Sequence, residues 1–300
     1  MTHAHAHGRQ DPGRAFAVGI GLNLGFVLVE AGFGLWAGSL ALLADAGHNL
    51  SDVLGLGLAW AANRLARRPA TARRTYGLRR TSILAALVNS VLLLVAIGAI
   101  AWEAVRRFAS PEPVAGLTVA AVAAVGVVIN AATAALFLRD RKHDVNVRGA
   151  FLHMVADAGV SAAVLAAGVV IRFTGWAWLD PAASLLVVAA IALATWGLLR
   201  ESVDLALDAV PEGIDPNAVE AFLAAAPGIA AVHHLHIWGM STTETALTAH
   251  LVKPDGRLDD ALLARLATEL NQRFGIAHAT FQLEEGAGLV SLGQEKAATQ

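Results

Sequence analysis

Six stretches of about twenty residues, each nearly free of charge, constrain this chain more than anything else in it. They run from about Arg14 to Trp36, Leu40 to Asn63, Ser82 to Trp102, Val114 to Leu138, Val147 to Ile171 and Trp178 to Leu199. Each is near the ~20 residues that an α-helix needs to span the hydrocarbon of a bilayer. Composition agrees, with 56% hydrophobic and only 15% charged residues and a mean hydropathy of +0.57. A soluble domain carries nearer a quarter charged residues. The expected fold is therefore an all-α six-helix transmembrane bundle in the lipid bilayer, over residues 14–203, with a soluble appendage.

Arginine placement sets the orientation. Arg64, Arg67, Arg68, Arg73, Arg74, Arg79 and Arg80 lie between the second and third segments. Arg139, Arg141, Lys142 and Arg148 lie between the fourth and fifth. With six spans both loops fall on one side, the cytoplasmic one, and so do both termini. Arg106 and Arg107 fall on the opposite side as a minor exception, and Trp176 and Trp178 suit an interface there. Residues 1–13, with His3, His5 and His7, read as a disordered histidine-containing tail without signal-peptide features. A plasma membrane of bacterial type is the expected location. The net charge of −2 gives no case for nucleic acid. The chain has no cysteine, which excludes disulfides, thiolate zinc sites and iron–sulfur ligation. Any metal must be held by His, Asp and Glu.

Such residues occur inside the apolar segments. His48 and Asp52 lie four apart in the second, and His153 and Asp157 repeat the spacing in the fifth. On a helix, positions i and i+4 share a face. One buried histidine is ordinarily a hydrogen-bonded packing residue. Two matching His-x-x-x-Asp pairs within lipid are different, because intramembrane ionisable groups are unfavourable and mark ion paths. At ~1.5 Å rise per residue, Asp52 is ~18 Å from the outer start of its segment and Asp157 ~15 Å from the inner start of its own. The pairs meet near mid-membrane. Two nitrogens and two oxygens there make a tetrahedral site suited to Zn²⁺. Asp45, one turn before His48, is either an accessory metal or proton group or a packing residue.

Beyond Arg200 the chain changes character. A short helix over 216–226, strands at Val232–Trp238 and Thr245–Val252, an amphipathic helix at Leu258–Phe274 and a strand at Ala277–Glu284 give an αββαβ order. This predicts a small α+β domain over residues 204–286, followed by a disordered tail at 287–300. His233, His234, His236, His250, His278 and Glu284 all fall on or beside its strands. Strand alternation puts His234 and His236 on one face, and His278, Gln282 and Glu284 on one face.

At this point the chain resembles the cation diffusion facilitators, a family of exporters of zinc and other divalent metals. The stretches that carry the resemblance are Gly38 to Asp52, Tyr76 to Arg80 with Asn89, His153 to Asp157, and Val232 to Trp238. The resemblance implies a homodimer of six-helix protomers with a ferredoxin-like cytoplasmic domain that binds metal and helps dimerisation. It places His48, Asp52, His153 and Asp157 at transport-site positions. Histidine in both motifs favours Zn²⁺, with Cd²⁺ or Co²⁺ as further substrates. In the cytoplasmic domain His233, His250 and Glu284 match ligand positions loosely, with His234, His236 and His278 as alternatives. Gln282 stands where some relatives carry histidine, a departure from their binuclear site. The loop from Arg64 to Arg80 lacks the histidines that some relatives carry there, so a loop metal site is not expected.

The function expected is metal export driven by proton antiport, without an organic cofactor and without enzymatic chemistry. An intramembrane metalloprotease would show His-Glu-x-x-His, and no such run occurs. A channel fits poorly, because four tetrahedral ligands hold a cation tightly. A membrane metal sensor without transport remains the alternative that the residues leave open.

Overall fold

The computed structural model describes residues 12–66, 68–138, 145–255, 257 and 259–286. The expected terminal tails, Arg67, Arg139, Arg141 and Lys142 lie outside the described residues. Six long helices come first: α1 (Pro12–Ala37), α2 (Leu40–Ala66), α3 (Thr81–Ala109), α4 (Gly116–Phe137), α5 (Val145–Thr174) and α6 (Leu179–Ala206). Then follow α7 (Pro216–Ala224), β1 (Ala231–Gly239), β2 (Thr245–Val252), α8 (Asp260–Phe274) and β3 (Ile276–Glu284). Among the described residues, α3, α4, α5 and α6 are each long and apolar enough to cross a membrane unaided. The apolar part of α1, Leu24–Ala37, is shorter. α2 has the length, 27 residues, but carries Asp45, His48 and Asp52 along it.

Several helices outrun their apolar segments. α3 continues seven residues beyond Trp102 because Glu103 pairs with Arg106 and Arg107 at 3.1 and 3.4 Å, the i,i+3 and i,i+4 spacings that favour a helix in water. Hydropathy marks the lipid-facing length of a helix and is blind to its polar end.

The chain divides into two compact units. The first combines Met1–Leu58 with Val88–Leu198. Its core is built from Leu42, Ala44, Leu93, Val119, Ala123, Val164 and Val187. Leu92, Val95, Phe173 and Leu193 point outward, as expected where the solvent is hydrocarbon. α4 and α5 approach closely through small residues. A Cβ on Gly168 would stand 2.7 Å from the Ala120 nitrogen, and one on Gly126 3.1 Å from Ser161 Oγ. The α1–α2 turn is held from elsewhere in the unit. Asp180 accepts from Ser39 Oγ and, at 2.8 Å, from the Leu40 N–H, so it serves the exposed donors at the start of α2. Gly38 makes the turn with a φ of 66° and its carbonyl accepts from Arg107. Arg107 also pairs with Glu103 and Glu112. Arg107 is thus a structural residue of this turn.

The second unit combines Ala59–Leu87 with the chain from Leu199 onward. Its sheet has the order β1-β2-β3, with β1 antiparallel and β3 parallel to β2. The parallel pair needs a crossover, and α8 supplies it. Asp215 caps α7 and Asp259 caps α8, each accepting a backbone N–H. Gly275 ends α8 in the left-handed conformation. Val219, Leu223, Leu262, Leu266 and Leu270 of the two helices pack on Ile237, Leu247, Leu251 and Ile276 of the sheet. Arg79 reaches both Glu244 Oε2 at 2.6 Å and His278 Nε2 at 2.7 Å, and Arg80 pairs with Asp208.

Candidate metal centres

Helical periodicity sets the first cluster. His48 and Asp52 lie on one face of α2, and His153 and Asp157 on one face of α5. The two faces meet. His48 Nε2 lies 3.7 Å from Asp52 Oδ2 and 3.4 Å from Asp157 Oδ1. His153 Nε2 lies 3.1 Å from Asp52 Oδ2 and 3.6 Å from Asp157 Oδ2. A tetrahedral zinc with bonds of about 2.0–2.1 Å separates its donor atoms by about 3.3 Å. The four nitrogen–oxygen separations bracket that figure. Asp157 is almost fully buried, Asp52 and His153 are partly open, and His48 lies between. The imidazole rings stand 6.0 Å apart and nearly perpendicular, so they do not stack over the site.

Asp45 does not join these four. It is fully buried and its Oδ2 accepts from Ser161 Oγ at 2.9 Å. Ser161 continues the series His153, Asp157 by another four residues, a periodic signal in the sequence that was open to reading. Glu30 is also fully buried and accepts from Asn49 Nδ2 at 3.3 Å. Glu30 and Asp45 each keep one carboxylate oxygen without a hydrogen-bond partner.

The second cluster lies on the sheet of the other unit. His233 and His250 are cross-strand partners, and Val252 is the partner of Glu284. His233 Nε2 is 3.1 Å from Glu284 Oε2, and His250 Nδ1 is 2.7 Å from Glu284 Oε1. Burial pushes the Glu284 carboxyl up, but the hydrogen bond from His250 and the neighbouring His233 and His250 outweigh it and hold it below the usual carboxylate range. Gln282 Nε2 adds a hydrogen bond to Oε1 at 2.9 Å.

Strand alternation puts His234 with His236, and here the backbone differs. β1 carries an irregularity between His233 and His236, and His234 has a φ of 50°. A bulge breaks the two-residue period. His234 Nδ1 therefore comes to 2.8 Å from His233 Nδ1, and ligand atoms of His233, His234 and His250 lie within 4.8 Å of one another. His236 is exposed. His278 is exposed too and is engaged by Arg79. Arginine only donates, so His278 Nε2 accepts there.

Among the described residues, four helices apolar enough to cross a membrane, a cluster of two imidazoles and two carboxylates between α2 and α5, and a following α+β domain describe a polytopic membrane protein. The family model described as the cation efflux transmembrane domain matches residues 16–205, and that of the cation efflux protein cytoplasmic domain matches residues 211–286. The chain is 36% identical over 291 residues to the zinc transporter ZitB of Escherichia coli, covering 95% of this chain and 93% of that one. It is 35% identical over 284 residues to the metal cation efflux system protein CzcD of Cupriavidus metallidurans, covering 94% and 89%. It is 33% identical over 292 residues to a cadmium, cobalt and zinc/H(+)-K(+) antiporter of Bacillus velezensis, covering 96% and 93%. The chain belongs to the cation efflux family. It is a metal cation transporter of the membrane and not an enzyme.

Proposed function

We propose that the protein exports Zn²⁺, with Cd²⁺ and Co²⁺ as further substrates, by exchange for protons through His48, Asp52, His153 and Asp157. The observation that carries this reading is the set of four nitrogen–oxygen separations of 3.1–3.7 Å between α2 and α5. The relatives bear names that speak of zinc, cadmium and cobalt transport and of antiport. A divalent cation with two carboxylates forms a neutral cluster, which relieves the charge that makes the free site unfavourable in lipid. Ligands must be deprotonated to bind metal, so protons compete for the same atoms. Cation binding from the cytoplasmic side and release outside, followed by protonation of the His and Asp ligands, closes the cycle.

The transmembrane domain spans residues 14–203 and the cytoplasmic one 204–286, with both termini in the cytoplasm of a bacterial cell and two protomers forming the working dimer. Asp45 acts beside the site through Ser161. His233, His234, His250 and Glu284 form a cytoplasmic site at which the substrate metal regulates transport.

The test is zinc uptake into proteoliposomes under an imposed pH gradient, comparing the wild type with Asp157→Ala. Saturable, gradient-driven flux that is lost in the variant is expected. Zinc binding without flux in the wild type would establish the sensor instead, and flux that persists in the variant would move the transport site elsewhere.

A further inference from the structure

The seam between α4 and α5 gives their register. The close approaches pair Ala120 with Gly168 and Gly126 with Ser161, so the helices run antiparallel. One further turn, four residues along each helix, brings α4 to Asn130 and α5 to Asp157. The buried positions follow the same stripes: Val119, Ala123, Asn130 and Ala134 on α4, and Asp157, Ser161, Val164 and Ile171 on α5. Asn130 and Asp157 therefore occupy one level of one apolar seam.

Asn130 is 1% exposed, and its Nδ2 has no hydrogen-bond partner. Asp157 is 2% exposed, and its Oδ2 has none either. A buried donor left unpaired is unfavourable, and so is a buried acceptor. Here a donor and an acceptor, each without a hydrogen bond, stand at the same height, and the polar atom facing the acceptor, His153 Nε2, is 3.6 Å away, beyond hydrogen-bond reach. Asp157 Oδ1 is the oxygen that faces His48, at 3.4 Å.

We infer that Asn130 is a positioning residue for the transport site: its amide donates to Asp157 Oδ2 when the cation is held through Oδ1. The inference rests on the transport reading above. Such a bond fixes the rotation of the carboxylate and leaves one oxygen for the metal. Carboxylates that bind metals are commonly held by a hydrogen bond of this kind. A neutral amide suits the position, because a cationic donor would compete with the bound metal for the same negative charge.

The test is the KM and kcat of zinc flux in proteoliposomes for wild type, Asn130→Leu and Asn130→Asp over a range of pH. Asn130→Leu keeps the bulk and removes the donor, and KM should rise about 10–100-fold, with a much smaller change in kcat. In Asn130→Asp the protonated acid donates as the amide does, and the ionised form repels Asp157. Its KM relative to wild type should climb as pH rises, whereas a residue that only fills space gives a flat ratio. A wild-type KM in Asn130→Leu, or a flat ratio in Asn130→Asp, overturns the inference. Asp157→Ala serves as the control: if it retains flux, the transport reading falls, and if flux is lost while Asn130→Leu is unaffected, only the role of Asn130 falls.

Discussion

The α4–α5 seam makes a sharp test of how the bundle is held. Gly168→Ala adds one methyl group at a place where the neighbours are backbone atoms. Its Cβ would meet the Ala120 nitrogen at 2.7 Å, the Gly116 oxygen at 3.0 Å and the Ala120 Cα at 3.1 Å. Ordinary contacts begin near 3.4 Å, so α4 and α5 must part by 0.7 Å at this level (3.4 − 2.7). Backbone cannot rotate aside as a side chain can. Overpacking of this sort costs about 1–3 kcal/mol, and the rigid neighbours place it at the upper end. Alanine regains about 1 kcal/mol over glycine in a helix. The net expectation is a loss of about 1–2 kcal/mol. Gly159→Ala, in the same helix, meets nothing within 4 Å and should gain about 1 kcal/mol. Reversible unfolding in mixed micelles titrated with denaturing detergent, followed by tryptophan fluorescence, measures both. The two variants should move in opposite directions. Equal stability of Gly168→Ala and Gly159→Ala would refute the argument that backbone contact sets the spacing of this helix pair.

Asp180→Ala removes the acceptor for Ser39 and for the Leu40 N–H, and should lower stability by about 1–2 kcal/mol in the same assay; an unchanged midpoint would mean that water serves the start of α2 equally well. Glu284 has its folded pKa held below the unfolded one, so its stabilising contribution is full above the ordinary carboxylate range and is lost as pH falls through the depressed value. Thermal unfolding of the metal-free protein should show this acid-side loss in the wild type and not in Glu284→Gln, and added Zn²⁺ should raise the wild-type midpoint more than that of the variant.

Much of the architecture was legible because lipid imposes a simple rule. A segment that is apolar for some twenty residues has few folds open to it, and the αββαβ order was readable from its alternating strands and its amphipathic helix. The His-x-x-x-Asp pairs were legible for the same reason, since spacing four on a helix fixes a face. Local pattern failed where one residue broke a period. His234 takes a positive φ, and the resulting bulge moves it beside His233 and leaves His236 outside. It also failed at groups whose meaning depends on a distant partner. Nothing near Asp180 in the chain points to Ser39, 141 residues away, and nothing near Arg79 points to Glu244 or His278.

The sequence by itself determined the number of helices, the small domain that follows them and the residue types available to a cation, because hydropathy and periodicity act over one or two turns. Only the tertiary structure decided that the two His–Asp faces meet with donors 3.1–3.7 Å apart, and that Asp45 turns to Ser161. Those facts depend on how closely α2 and α5 approach and on the rotation of each helix about its axis. Both are set by packing between residues remote in the chain, which a single sequence does not record.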